Sequence, residues 1–203
     1  MKKILMSAAA MLAGVSTFGA AFVWIEGETT SKTNFTSMNP WLKGDNAALL
    51  SGGDAFAALN DGKEPLPKPA FIIWKVDVPE AGEYQVYFRH GWMGHVGQMR
   101  YRFTKIGADG NPLVKPGPEE GWVAFDADSQ PLDRQPIGQY RTIEWSRQTP
   151  VTLEQGSYLL DLQVVGPGPA HITDQLIWTL IDAICLSKEP FTPNGVVKPG
   201  ATP

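Results

Sequence analysis

The sequence predicts an all-β fold in which two sheets pack as a β-sandwich or jelly roll, for most of its 203 residues. Short runs rich in β-branched and aromatic residues recur along the chain, separated by turn signals that use many of the 21 glycines and 17 prolines. No helical amphipathic pattern extends beyond about ten residues. Many short strands joined by Gly/Pro-rich loops are typical of sandwiches and jelly rolls.

Charge and composition exclude several classes of protein. The net charge of −4, with 43% hydrophobic and 19% charged residues, predicts a folded, acidic chain. An acidic balance disfavours nucleic acid or an anionic membrane surface as a partner. The single Cys185 excludes an internal disulfide and a Cys-rich zinc cluster.

Residues 1–21 have the pattern of a secretory signal peptide. Lys2 and Lys3 precede an apolar run, and small residues follow it up to Ala21. Cleavage after Ala21 would make Phe22 the first mature residue. No apolar run in the chain is long enough to cross a bilayer. We therefore expect an exported protein, extracellular or periplasmic; an uncleaved membrane anchor is the alternative.

The predicted strands follow in chain order from the first mature residue. They are Phe22–Ile25, Phe71–Val78, Glu83–Trp92, Gln98–Lys105, Trp122–Phe125, Tyr140–Trp145, Val151–Leu153, Ser157–Val165 and Gln175–Leu186. Between Leu50 and the second strand, Gly52 and Gly53 end a single predicted helical turn. Residues 189–203 are rich in Pro and Gly and predict a tail or linker, which leaves 22–188 as the sandwich domain.

Three carboxylates, those of Glu26, Glu28 and Asp182, occupy strand positions that are unfavourable for a negative charge. Glu26 and Glu28 project from the same face of the first strand and repel each other unless a positive group lies between them. Asp182 shares the pattern of Leu180 and Ile184 on the last strand, and a buried carboxylate is costly unless it is paired or binds a metal. Such oxygen ligands suit Ca²⁺, which could join the first and last strands. The alternative is an exposed edge for Glu26 and Glu28, with Asp182 meeting an arginine or backbone amides.

Four segments resemble motifs of the family 6 and family 35 carbohydrate-binding modules. The start Val23-Trp24-Ile25-Glu26-Gly27-Glu28 resembles their opening strand, and Gly82-Glu83-Tyr84-Gln85-Val86-Tyr87-Phe88-Arg89 is similar to their "G-x-Y-x-V-x-x-R" strand. Leu153-Glu154-Gln155-Gly156-Ser157-Tyr158 resembles the hairpin before the penultimate strand, and Ile181-Asp182-Ala183-Ile184-Cys185-Leu186 the closing strand. The four occur in the order found in these families, between residues 22 and about 187.

The resemblance implies a galactose-binding-like jelly roll that binds a polysaccharide or glycan. It also implies a structural Ca²⁺ held by Glu26, Glu28 and Asp182. One position departs from the pattern, because Leu180 stands where these families usually carry an Asn whose amide holds the sugar. This departure favours an alternative function, a structural or adhesion protein that uses the same fold to contact another protein, such as one at the cell surface.

Candidate sugar-contacting residues lie in the loops. A neutral sugar binds where an aromatic ring takes its C–H face and a few polar groups take its hydroxyls. We predict Trp92 as the stacking platform, with His95, Trp41 and His171 around it; the resemblance implies that the His95 and His171 loops share one edge. The alternative is that Trp92 caps the core and His95 bonds a loop carbonyl.

Catalytic patterns are weak in this sequence. A zinc site of His90, His95 and His171 is disfavoured, because His90 falls on the inner face of its predicted strand. Cys185 has the pattern of a small buried apolar group. The sequence contains no G-x-S-x-G, H-E-x-x-H or P-loop motif. We therefore predict a non-catalytic module, with a glycan-cleaving enzyme such as a lyase as a further alternative.

Overall fold

More than half of the described part of the chain is strand, with almost no helix. The computed structural model describes residues 22–35, 44–61, 69–92, 98–125, 131–137, 142–166 and 176–201. Its strands are β1 (Phe22–Glu26), β2 (Lys32–Thr33), β3 (Phe56–Asp61), β4 (Ala70–Val78), β5 (Gly82–Trp92), β6 (Gln98–Ile106), β7 (Val123–Ala124), β8 (Asp133–Pro136), β9 (Thr142–Leu153), β10 (Gly156–Gly166) and β11 (Leu176–Ser187). Two short 3₁₀ helices, Gly44–Leu49 and Ser51–Gly53, precede β3.

The strands form two antiparallel sheets. The first has six strands in the order β1-β11-β5-β9-β8, with β3 also paired to β11; the second has five in the order β2-β4-β10-β6-β7. The long strands β4, β5, β6, β9, β10 and β11 alternate between the sheets along the chain, which is how a jelly roll is wound. The predicted all-β jelly roll is confirmed.

The main core lies between the two sheets. On β5, Tyr84, Val86 and Phe88 are fully buried in this core, as their alternation predicts. Trp74 of β4 is also fully buried, and its indole N–H donates to the carbonyl of Gly27 at 2.9 Å. Burying a large aromatic side chain of this kind contributes about 3 kcal/mol. The core thereby connects β1 to the second sheet.

The structure differs from the predicted strands at β9. The sequence predicted two separate strands, Tyr140–Trp145 and Val151–Leu153; the structure has one, Thr142–Leu153, and Pro150 lies within it. The register with β5 shifts here, since Tyr84 pairs with Val151 but Val86 pairs with Gln148. Proline is tolerated at such a bulge, where a regular ladder hydrogen bond is not required of it.

The outer face of the first sheet is covered by two non-strand segments. Residues 44–55 lie over one part of it, where Leu50 and Ala55 pack with Leu180 of β11. The C-terminal segment lies over another part, where Phe191 contacts the rings of Trp24, Tyr87 and Trp145. The segment predicted as a linker therefore lies against the sheet as far as Lys198, which pairs with Glu26 of β1. Within the described ranges, no helix has the length and apolar character needed to span a membrane.

Candidate functional site

Asp182 and Arg89 form a buried ion pair on the covered outer face of the first sheet. Arg89 Nη1 lies 2.6 Å from Asp182 Oδ2, and the two side chains are 1% and 0% exposed. The backbone N–H of Ser51 donates to Asp182 Oδ1 at 2.9 Å. Arg89 also donates to the carbonyl of Leu49 at 2.7 Å and to Gln135 Oε1 at 3.0 Å. The alternative left open for Asp182, an arginine and a backbone amide as partners, is thus the arrangement observed.

A bulge in β11 places Asp182 on this face. The register with β5 shifts between Ile181 and Ala183. As a result Ile181 and Ile184 both enter the main core, whereas Ala183 and Cys185 pack on the outer side. Strict alternation had put Asp182 on the same face as Ile184, and that expectation was wrong because the bulge interrupts the period of two. The predicted burial of Cys185 is confirmed, and burial raises the pKa of its thiol to about 12.

Glu26 and Glu28 meet beside the turn that contacts Asp182. An ideal Cβ placed on Gly52 would lie 3.3 Å from Glu28 Oε1 and 3.9 Å from Glu26 Oε2. Gly52 has a φ of 63°, a left-handed conformation that glycine adopts without strain. Its missing side chain leaves room for both carboxylates. Glu26 ends β1, whereas Glu28 lies in the turn that follows it and not on the strand as expected. Both glutamates lie near Gly52, and Asp182 of β11 accepts the N–H of the neighbouring Ser51.

A lysine from the C-terminal segment pairs with Glu26. Lys198 Nζ lies 2.8 Å from Glu26 Oε1, with side chains 49% and 20% exposed. The same ammonium lies 5.5 Å from the ring centroid of Trp24, within cation–π range. Burial is the largest single influence and acts to raise the pKa of Glu26, but the polar groups of Lys198, Ser51 and Trp24 together outweigh it, so this pKa lies below its usual value.

For Asp182, burial outweighs the groups that favour its ionised form. Burial raises the pKa of Asp182 to about 6, although Arg89 and the Ser51 N–H both favour the ionised form. The negative charge of Glu26 adds to the upward shift, which places the two carboxylates in one electrostatic environment. Two cationic side chains thus neutralise these carboxylates: Arg89 pairs with Asp182, and Lys198 pairs with Glu26.

The pairing of Glu26 and Asp182 with protein cations bears on the predicted calcium. Among the described residues, no three His, Cys, Asp or Glu side chains are arranged around a common point that could hold a metal. Two features nevertheless fit a hard cation: Glu26 Oε2 is buried without a hydrogen-bond donor in that part of the chain, and Gly52 leaves the cradle open. Calcium at Glu26, Glu28 and Asp182 stays a prediction.

Gly27 holds the two glutamates against β11, and we expect Gly27→Ala to lower the free energy of unfolding by about 2 kcal/mol. Its N–H donates to the carbonyl of Asp182 at 2.7 Å. An added Cβ would lie 1.9 Å from the carbonyl oxygen of Ile181, so the two backbones would have to separate. Urea unfolding measures the loss. Gly117→Ala is the matched control, because its φ, like that of Gly27, is outside the left-handed region and the atoms nearest its added Cβ, those of Glu120, lie at 3.5 and 3.7 Å; an equal loss in both variants would contradict the clash.

The predicted sugar-contacting residues lie outside the part of the chain whose side chains are described. This holds for Trp41, His95 and His171, and Trp92 is placed only by its backbone as the last residue of β5. The strand ends that flank two of the loops are described. Gln98, which begins β6, pairs with Gly166, which ends β10. The described strand ends that border residues 93–97 and 167–175 therefore lie at the same end of the sandwich.

Two residues of the acidic site were not singled out by sequence analysis. Ser51 contributes a backbone N–H, which any residue could supply, so its type carries no signal. Lys198 lies in a Pro/Gly-rich segment that reads as a linker, and only the packing of Phe191 on three aromatic rings brings it back to β1. The contact with Phe191 could have been predicted from the aromatic residues on the outer face of the first sheet, Trp24 of β1, Tyr87 of β5 and Trp145 of β9.

Comparison with known proteins finds similarity among solved structures alone. No family model and no curated protein matches the sequence. A Podospora anserina GH26-CBM35 β-(1,4)-mannanase matches with a TM-score of 0.46 and 16% identity over 85% of this chain, which spans 28% of that protein. The CBM6cm-2 module of Cellvibrio mixtus lichenase 5A, solved with cellotriose, gives 0.43 and 16%, covering 82% and 97% of the two chains.

A family 35 module from Clostridium thermocellum gives a TM-score of 0.42 and 15% identity, covering 82% of this chain and 98% of that one. The solved structures that this chain resembles thus include modules of both families indicated by the sequence motifs. At these identities the likeness is one of fold.

Proposed function

We propose that this chain is an exported, non-catalytic module that binds a polysaccharide or glycan. The observation that carries the proposal is the approach of the first and last strands to the Ser51–Gly52 turn, where Glu26 and Glu28 lie near Gly52 and Asp182 accepts the N–H of Ser51. The jelly-roll winding of the two sheets supports it. Binding uses an aromatic ring and hydrogen bonds at the loop end where β5 and β10 finish, with no bond made or broken.

Calcium is the second part of this proposal. Glu26 and Glu28 would hold the ion, and Asp182 would complete the acidic set beside them. A bound ion of this kind would neutralise the repulsion between the carboxylates and stabilise the junction of β1 and β11. Exposed backbone carbonyls and water would supply the remaining oxygen ligands.

Substitution of the proposed platform tests sugar binding. We expect the wild-type protein to bind at least one glycan on an array, and Trp92→Ala to weaken that binding about tenfold or more, since a central aromatic contact commonly contributes this much. Replacing His95 or His171 by alanine should weaken it less, because each removes one polar contact. Titration calorimetry with the best glycan of the array measures the affinities.

The control is Trp122→Ala. Trp122 is half-buried, stacks with Arg100 and Arg102 at 4.3 and 4.2 Å, and donates its indole N–H to the carbonyl of Pro118. Its loss should leave glycan affinity unchanged. Equal loss in both variants would remove Trp92 as the platform, and absence of binding to every glycan would favour a structural or adhesion role. Leu180 favours that role specifically, because it is 3% exposed and packs with Leu50 instead of presenting an amide to a ligand.

A further inference from the structure

We propose that Lys198 and a divalent cation are mutually exclusive partners of Glu26, so that the C-terminal segment is a latch that calcium opens. This inference rests on the calcium part of the proposed function and goes beyond it. It assigns a role to the C-terminal segment, which the family resemblance leaves without one. It follows from the position of the Lys198 ammonium and from the contacts that fix Phe191 and Gly195 before it in the chain.

Lys198 contacts one oxygen of the Glu26 carboxylate, and a metal would use the other oxygen, Oε2. The Lys198 ammonium lies 2.8 Å from Glu26 Oε1. Ca²⁺ binds carboxylate oxygens at about 2.3–2.6 Å. An ion on Glu26 would therefore stand within a few ångströms of the ammonium, and two like charges at such a distance repel strongly where solvent is partly excluded. Glu26 is 20% exposed, so water screens this repulsion incompletely.

The remaining anchors confine the movement to the end of the segment. The carbonyl of Gly195 accepts the indole N–H of Trp145 at 2.8 Å, and the N–H of Gly195 donates to Asp133 Oδ2 at 2.7 Å. Phe191 is fixed by the aromatic rings of the first sheet. Beyond Gly195, the Lys198 ammonium contacts Glu26 and Trp24. An incoming cation would remove these two contacts. Residues 196–201 are therefore the part that calcium releases.

A cleft beneath the latch is consistent with a surface that can open. A cavity of about 370 Å³ lies between the C-terminal segment and the start of β1, lined by Phe22, Phe191, Val197, Lys198 and Pro199 among others. Release of residues 196–201 would widen this cleft, which is already partly open to solvent. It would also remove the ammonium from the face of Trp24.

Calcium titration of three proteins tests the competition. The proteins are wild type, Lys198→Met and Lys188→Met, each freed of divalent ions and titrated with CaCl₂ by calorimetry. Lys188 is a matched control, because it directly follows β11 and pairs with Glu80 at 3.0 Å, away from Glu26. We expect Lys198→Met to bind calcium at least about threefold more tightly than wild type, since it no longer has to break an ion pair. Lys188→Met should bind as wild type does.

A spin label at Ala201, introduced as Ala201→Cys, reports the movement itself. The native Cys185 is buried and its pKa is raised to about 12, so the label reacts with the new thiol. Saturating calcium should increase label mobility, EDTA should reverse it, and the Lys198→Met background should be mobile without calcium.

Equal calcium affinity in all three proteins, or an immobile label at saturation, would overturn the latch and leave the calcium site standing. No calcium binding in any variant would overturn both. Neither result bears on the glycan array, which tests sugar binding separately.

Discussion

Replacing Arg89 by methionine is expected to lower the free energy of unfolding by about 3–5 kcal/mol, because it leaves a buried carboxylate without its cation. Asp182 would keep one hydrogen bond, from the Ser51 N–H, at a side chain that is 0% exposed. The carbonyl of Leu49 would also lose its guanidinium donor. In a chain of this size the thermal midpoint should fall by about 10 °C or more.

The double variant Arg89→Met with Asp182→Leu separates charge from packing. Because it removes both charges, we expect it to be more stable than either single variant, although it loses the same hydrogen bonds. Arg102→Met is the matched control: Arg102 lies 3.6 Å from Asp161 with side chains 16% and 13% exposed, and should cost about 1 kcal/mol. Urea unfolding measures the wild-type protein, the two single variants, the double variant and Arg102→Met. Additive losses in the double variant would show that the ion pair is not the stabilising feature.

The strands that the sequence predicted are those with a strong period of two and a buried face. Phe71–Val78 and Glu83–Trp92 match β4 and β5 within one residue, because alternating aromatic and β-branched side chains leave one face for the core. The missed strands lack this pattern. β8, Asp133–Pro136, is short, polar and at a sheet edge, and β3 is held mainly by its pairing with the first half of β11.

The site was predictable in its acidic residues but not in their partners. A carboxylate within an apolar strand pattern marks Asp182 as a residue that needs a compensating group, whatever that group is. Which group it meets depends on the bulge between Ile181 and Ala183, and a bulge leaves no signal in this sequence. Lys198 depends in turn on the packing of Phe191, a contact across more than a hundred residues of chain from Tyr87.

Two buried titratable groups should oppose each other in mildly acidic solution. Burial lowers the pKa of His90 from 6.5 to about 4 in the folded protein, where its Nε2 lies 3.0 Å from Ser146 Oγ. Between these values the unfolded chain binds a proton that the folded chain does not. His90 therefore makes the protein less stable as pH falls through this range.

Asp182 acts in the other direction over nearly the same range. Its pKa is raised by burial from 3.8 to about 6, so here the folded chain binds the proton that the unfolded chain lacks. Its contribution to the free energy of unfolding is gained as pH falls from about 6 towards 3.8 and is lost again as pH rises. Each shift of about two units corresponds to about 3 kcal/mol, so the two contributions nearly cancel.

Single neutral substitutions should reveal the two opposing slopes. Relative to wild type, the unfolding free energy of His90→Gln is expected to rise by about 3 kcal/mol as pH falls from 6.5 to 4, because the destabilising titration is removed. That of Asp182→Asn should fall by a similar amount over this range, whatever its stability at neutral pH. Urea unfolding at half-unit pH steps gives the three profiles. Three parallel profiles would contradict both pKa shifts. If only one variant diverged from wild type, the group replaced in the other variant would have the same pKa in the folded and the unfolded chain.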